Sequence, residues 1–233
     1  MENNVFDLIA QLREKIEAYF SNDASGHNID HLDRTLNYAL YLQSKEGGDI
    51  VVVAISAFVH DIHRILGAET GRFVSPKESL PVVKNFLDEI NITDKQKEHI
   101  LHAVEHHEEY GFGKDGVNVD DIESKILQDA DNLDAIGAMG IVRTFKYGTA
   151  HSVVDYDPTV PLYQNAYDES KGDASTIHHI NNKLLRLGEN MNTKTAKELA
   201  KKKTALMKEF MEMYISEVTG EFEQAKENPK TKQ

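Results

Sequence analysis

Apolar positions recur with a helical period along almost the whole chain. Leu8, Leu12, Ile16, Tyr19 and Phe20 fall on one stripe and predict a first helix. A second helix starts near Asp30 and carries Leu32, Leu36, Ala39 and Leu40 inward. Next comes the apolar run Ile50-Val51-Val52-Val53-Ala54-Ile55, which continues through Ala57-Phe58-Val59 to His60-Asp61. Its β-branched residues suit a strand. The stretch from Asp49 to Ile65 contains no breaker, however, and that length favours one buried helix with His60-Asp61 near its end.

Helix-start signals organise the middle of the chain. In Ser75-Pro76-Lys77-Glu78 the serine can cap, proline sits where no amide donor is needed, and glutamate can reach back to close a capping box. Val82, Val83, Phe86, Leu87 and Ile90 then form a buried face. Thr93-Asp94-Lys95-Gln96 repeats the capping logic for a helix running to about His107. After the breaker Gly111–Gly116, a helix is expected from about Asp120 to Lys146, with Ile122, Ile126, Ala130, Leu133 and Ile136 inward. Gly137 and Gly140 within it read as points of close helix packing. Residues 147–175 lose all period through Gly148, Pro158, Pro161 and Gly172, and suit a lid and a tolerated insertion equally well. Helices resume at Thr176. The last one places Ala196, Leu199, Ala200, Leu206, Met207, Phe210, Met211, Tyr214, Ile215 and Val218 on a packing face that could also serve a homodimer. The tail from about Gln224 is polar and expected to fray. The expectation is one all-α domain over residues 1–233. It has a core at about 22–146, the lid-like segment at 147–175 and additional C-terminal helices at 176–224.

Composition narrows the function classes. The 233 residues include no cysteine, which excludes disulfides, thiolate metal sites and cysteine nucleophiles, and fits a cytoplasmic protein. No apolar run is expected to approach the roughly 20 residues of a bilayer span, and Met1-Glu2-Asn3-Asn4-Val5 lacks a signal-peptide pattern, so no membrane association is expected. A net charge of -13 argues against general nucleic-acid binding. It still permits a small phosphorylated substrate, given a metal ion and a local basic cluster.

The chemistry concentrates around His60-Asp61. A buried imidazole beside a buried carboxylate is costly unless something pairs with both, and a divalent cation accepts neutral nitrogen and ionised oxygen together. His31 upstream and Asp131 downstream are the further candidate ligands. Asp131 stands among Gln128, Asp129 and Asp134; at about 100° per residue, Asp129 and Asp134 cannot both share its face. One inward ligand with outward acidic neighbours is expected. Taken singly, Asp131 reads as a solvated helix residue and His31 as a surface histidine; the joint pattern is what points to metal.

In that order, His31, His60-Asp61 and Asp131 on helices resemble the HD superfamily of metal-dependent phosphohydrolases, in particular a bacterial branch of small HD-domain nucleotide hydrolases. Gly26-His27-Asn28-Ile29-Asp30-His31-Leu32-Asp33-Arg34-Thr35 is similar to its first motif. Asp129-Ala130-Asp131-Asn132-Leu133-Asp134-Ala135-Ile136-Gly137 with Ile141-Val142-Arg143-Thr144-Phe145 resembles its most distinctive segment. His178-His179-Ile180, Lys183-Leu184-Leu185 and Met191-Asn192-Thr193 resemble its C-terminal signature. The resemblance implies an HD-type helical bundle in which His31, His60, Asp61 and Asp131 hold one divalent metal. Hard oxygen and imidazole donors suit Mn²⁺, Fe²⁺, Ni²⁺ or Mg²⁺. It also implies hydrolysis of a phosphate ester or anhydride in a small nucleotide, such as a nucleoside triphosphate cleaved to monophosphate and pyrophosphate. A nucleotidase or phosphodiesterase on a signalling nucleotide, and a nonenzymatic metal-containing regulatory module, use the same residues. Asp61 and His63 are the catalytic candidates, and Arg64, Arg143, Lys183, His179 and His107 the substrate-binding ones. No carboxylate stands within three residues after Asp61, where several branches of the family place an acid to orient the attacking water, so His63 or a more distant group is expected to serve there, or catalysis to be weak. Glu105-His106-His107-Glu108-Glu109 falls where two-metal relatives carry extra ligands.

Overall fold

The structure, a computed structural model, describes residues 4–20, 28–108, 119–162 and 172–222. Gly26-His27, the breaker Gly111–Gly116, residues 163–171 of the lid-like segment and the tail from Gln224 lie outside these. All regular structure among the described residues is helical: α1 (Val5–Phe20), α2 (Ile29–Glu46), α3 (Ile50–Val59), α4 (Ile62–Thr70), α5 (Pro76–Asp88), α6 (Asp94–His106), α7 (Ile122–Ala135) and α8 (Gly137–Ala150). A π-helical turn, Ile180–Leu184, joins α9 (Thr176–His179) to α10 (Leu185–Glu189), and α11 (Lys194–Thr219) closes the fold.

α3 is the spine of the fold. Every residue from Val52 to Val59 is buried, because the helix is apolar all round and has protein on every side. Val52, Ile55, Phe58 and Val59 face a cluster built with α1, α2, α4, α5 and α6. Val53 and Ala57 face a second cluster built with α2, α6, α7 and the C-terminal helices. Burial of a side chain such as Phe58 contributes up to about 3 kcal/mol. Contrary to the expectation from sequence, the span Ile50–Thr70 is long and apolar enough, by length and composition, to cross a membrane, because its few charged residues do not offset the apolar run; most of it is packed inside the protein.

The expected helix over Asp49–Ile65 is two helices. His60 Nδ1 donates to Ala57 O at 3.0 Å, and Asp61 leaves helical backbone at φ -92°, ψ 14°. The chain restarts at Ile62, with Arg64 N on Asp61 O at 3.0 Å. No glycine or proline marks the break, so the apolar pattern runs through it. His60-Asp61 therefore occupies a corner of the chain.

The expected helix from Asp120 to Lys146 also divides. Ile136 is extended, and Gly137 takes φ +76°, a left-handed value that glycine adopts without strain. A Cβ on Gly140 would stand 2.2 Å from Ala135 O, so glycine is what lets the new helix start so close to the old one. Both predicted capping boxes form, Ser75 with Glu78 and Thr93 with Gln96. On the first stripe Tyr19 is exposed, its ring edge-on to Phe86, while Leu8, Leu12, Ile16 and Phe20 are buried. On α11 Leu206 and Val218 are exposed, and the packing face is carried by Ala196, Ala200, Met207 and Met211. α8 extends to Ala150, so the irregular segment begins later than expected.

Candidate metal centre

Three places in the chain bring the four expected ligands together. His31 lies in the first turn of α2, where Asn28 caps the helix by accepting from His31 N at 3.2 Å. His60 and Asp61 form the α3–α4 corner, and Asp131 comes from α7. His31 Nε2 stands 3.3 Å from His60 Nε2, 3.2 Å from Asp61 Oδ2 and 3.5 Å from Asp131 Oδ1. His60 Nε2 is 3.6 Å from Asp61 Oδ2 and 3.8 Å from Asp131 Oδ1. Two imidazole nitrogens and two carboxylate oxygens thus converge on one point, in the spacing a small cation draws together. His31, His60 and Asp61 are buried, whereas the Asp131 side chain keeps 16% exposure.

The electrostatics suit a cation. Burial alone would lower the His60 pKa, but Asp61 and Asp131 outweigh it and carry it up to about 9. Burial would raise Asp131, yet the hydrogen bond from His60 and the charges of His60 and His31 hold it well below the usual carboxylate range. The absence of any thiolate makes this a hard, oxygen-and-nitrogen donor set.

Each imidazole is oriented through its other nitrogen. Nδ1 of His60, His63 and His107 lies on the carbonyl three residues earlier, at 3.0, 3.2 and 2.7 Å. A carbonyl only accepts, so Nδ1 donates in each case and Nε2 is the atom turned to the centre. His31 Nδ1 donates instead to Asp134 Oδ2 at 2.8 Å. Arg34 Nε donates to Asp134 Oδ1 at 2.7 Å and Arg143 NH1 to Oδ2 at 2.6 Å. The same Arg143 nitrogen lies 3.2 Å from His31 Nδ1, and the shorter approach to the carboxylate is the hydrogen bond. Burial pushes the Asp134 carboxyl up, but hydrogen bonds from His31 and Arg34 and the charge of Arg143 hold it well below its usual range.

The acidic neighbours of Asp131 are the reverse of expectation: Asp129 and Asp134 are fully buried, and Asp131 is the most exposed of the three. The helical angle argument holds, since the two point to different faces. Both faces are covered, however. Asp129 accepts from the Asn192 and Thr193 amides, each at 2.7 Å, at the entrance to α11. The Met191-Asn192-Thr193 motif is therefore the partner of the Asp129 motif.

The remaining expected residues divide into two groups. His63, Arg64 and His107 join the centre: His107 Nε2 is 3.8 Å, His63 Nδ1 4.0 Å and Arg64 Nε 3.8 Å from Asp61 Oδ1. Of the adjacent histidine pair, His107 is the inward one, while His106 has its ring against His102 and its carbonyl on Gln128. His179 instead pairs with Asp173 at 2.8 Å, Lys183 lies half-buried on the π-helical turn, and Arg143 stands behind His31. Sequence reading missed Glu108. Its carboxylate bonds Arg64 and lies 3.4 Å from His63 Nε2, supplying from α6's end the acid absent after Asp61. Its signal was the Glu105–Glu109 cluster.

Residues 28–136, which contain all four candidate ligands, match the HD domain family model. The chain is 30% identical over 210 residues to the uncharacterized protein YpgQ of Bacillus subtilis, covering 90% of this chain and 93% of that one. The chain belongs to the HD superfamily. His60-Asp61 is thus its HD doublet. Solved structures agree over more than nine-tenths of the chain. A Lactobacillus plantarum protein superposes with TM-score 0.75 at 29% identity, over 92% of this chain and 98% of that one. An HD-superfamily hydrolase from Bacillus thuringiensis does so with TM-score 0.70 at 29% identity, over 93% and 99%. Bacillus subtilis YpgQ in complex with ADP gives TM-score 0.66 at 29% identity, over 91% and 98%.

Proposed function

We propose that this HD-superfamily chain is a metal-dependent phosphohydrolase that cleaves a phosphoanhydride of a small nucleotide. The observation that carries the reading is the convergence of His31 Nε2, His60 Nε2, Asp61 Oδ2 and Asp131 Oδ1 with Asp131 left partly exposed. A purely structural metal site is closed by protein ligands; a partly exposed ligand suits a reacting group. What a divalent ion supplies when bound by these four residues is an activated water at neutral pH and neutralisation of charge on phosphorus. The donor set fits Mn²⁺, Fe²⁺, Ni²⁺ or Mg²⁺.

The chain's own residues do the rest. Asp134 fixes the His31 ring, and Arg34 and Arg143 fix Asp134, so the ligand geometry is set before substrate arrives. Arg64, 38% exposed beside Asp61, is placed to take a phosphoryl oxygen in a charge-assisted hydrogen bond. Lys183 and His179 remain candidates for the distal phosphates from the C-terminal helices. The ADP complex of YpgQ supports a nucleotide carrying an anhydride over a sugar phosphate. A nucleoside triphosphate cleaved to monophosphate and pyrophosphate is the specific reading.

The test is a panel of nucleoside mono-, di- and triphosphates and cyclic nucleotides incubated with Mn²⁺-loaded protein, with products resolved by anion-exchange chromatography. Triphosphates are expected to give monophosphate and pyrophosphate. Turnover of cyclic nucleotides or monophosphates alone would overturn the anhydride reading.

A further inference from the structure

A cavity of about 460 Å³ lies where α2 meets α11, and none of the candidate metal ligands lines it. Its walls are Arg34, Asn37, Tyr38 and Tyr41 on α2 and Leu199 on α11. The α2 positions are spaced three and four apart, so they form one stripe along the helix. Leu32, Leu36, Ala39 and Leu42 carry the buried side of α2. The cavity stripe is only partly covered: Asn37 and Tyr41 are exposed, and the Arg34 side chain keeps 29% exposure.

The polar groups on this stripe are spare. Arg34 gives Nε and NH2 to Asp134 at 2.7 and 3.1 Å, and its third nitrogen, NH1, has no hydrogen-bond partner among the described residues. The same holds for the Asn37 amide and for the Tyr38 and Tyr41 hydroxyls. Two lysines add charge: Lys203 Nζ lies 4.9 Å from the Tyr38 ring centroid and Lys45 Nζ 5.9 Å from that of Tyr41. Lys203 is held there by donating to Ile136 O at 3.3 Å. Asp30 acts on Arg34 through space, without taking one of its donors. On a chain of net charge -13, three cations around one cavity are a local reversal of sign.

A concave site with apolar walls and a few uncommitted polar groups is the usual form of a small-molecule site. Each group here selects part of the ligand. A free guanidinium nitrogen calls for an anion. Tyrosine faces suit a flat ring, and an amide with both donor and acceptor suits the edge of a base. We infer that this cavity is a ligand site, separate from the metal centre, for a nucleoside monophosphate. The phosphate lies at the Arg34 end and the base against Tyr38 and Tyr41. The inference goes beyond the hydrolase reading and holds whichever bond the metal centre cleaves.

Calorimetric titration of AMP into full-length protein tests it, with chelator present so that no metal holds the phosphate elsewhere. Wild type is compared with Tyr41→Ala and Asn37→Asp, both at exposed positions, and with Arg64→Ala, which removes the phosphate donor beside the metal centre. Far-ultraviolet circular dichroism checks each variant's helix content. AMP is expected to bind wild type and Arg64→Ala alike and to bind Tyr41→Ala about tenfold more weakly, the usual effect of losing one stacked ring. Asn37→Asp keeps the side-chain size but repels the phosphate, and should weaken AMP as well. Adenosine and inorganic phosphate, titrated separately, should each bind more weakly than AMP. Adenosine binding as tightly as AMP would overturn the assignment of a phosphate to Arg34. AMP affinity unmoved in both cavity variants, or lost in Arg64→Ala, would overturn the site, as would no binding to wild type at millimolar AMP. None of these outcomes bears on metal-dependent hydrolysis, which the chelated protein does not perform.

Discussion

His31 Nδ1 donates to Asp134 Oδ2 across 2.8 Å, joining the first turn of α2 to the last turn of α7. This bond turns His31 Nε2 toward the centre, and the two arginines behind it keep Asp134 from moving. An Asp134→Asn change preserves the shape but lets the amide present a donor to His31 Nδ1. Mn²⁺ affinity is expected to fall roughly 10- to 100-fold by calorimetry, with near-native helix content. Unchanged affinity would mean that the ring is oriented by packing alone.

Asp129 should act on stability and not on chemistry. Its carboxylate accepts from the Asn192 and Thr193 amides at the buried start of α11. Asp129→Ala leaves those donors unpaired, an expected cost of about 1–3 kcal/mol in urea denaturation. Mn²⁺ binding below the unfolding midpoint should survive.

The α7–α8 corner depends on Gly140. A Gly140→Ala methyl would meet the Ala135 carbonyl, which is backbone and cannot step aside cheaply. Destabilisation of about 1–3 kcal/mol is expected, measurable in the same denaturation experiment. Arg143 rides on α8, so Mn²⁺ affinity should fall as well.

Metal removal should be visible in thermal melts. An ion that binds only the folded chain adds about 2.7 kcal/mol at one hundred times its dissociation constant. Chelator should therefore lower Tm, and Mn²⁺ should restore it, in wild type but not in Asp61→Ala.

Much of this was legible in the sequence because helical period and capping chemistry are local. Ser75–Glu78 and Thr93–Gln96 formed the boxes their residues require. The breaks at His60-Asp61 and Ile136 were hidden for different reasons. The first is made by a side chain competing for a helix carbonyl, inside an unbroken apolar run. The second is made by Gly137, whose left-handed backbone a sequence does not display. Motif order picked out the four candidate ligands, which the fold brings together. The burial of Asp129 and Asp134 was misread because the paired groups, Arg34, Asn192 and Thr193, lie far away in the chain. Glu108 was missed for a related reason: the carboxylate next to His63 comes from the turn after another helix, α6.

The central claim is that His31, His60, Asp61 and Asp131 hold the ion that drives phosphate hydrolysis. The most direct measurement is the rate of nucleoside triphosphate cleavage by Mn²⁺-loaded wild type and Asp61→Ala, each assayed with and without chelator. Wild-type cleavage should stop with chelator, and Asp61→Ala should be slower by about a thousandfold or more. Equal rates in wild type and Asp61→Ala, or cleavage indifferent to chelator, would contradict it.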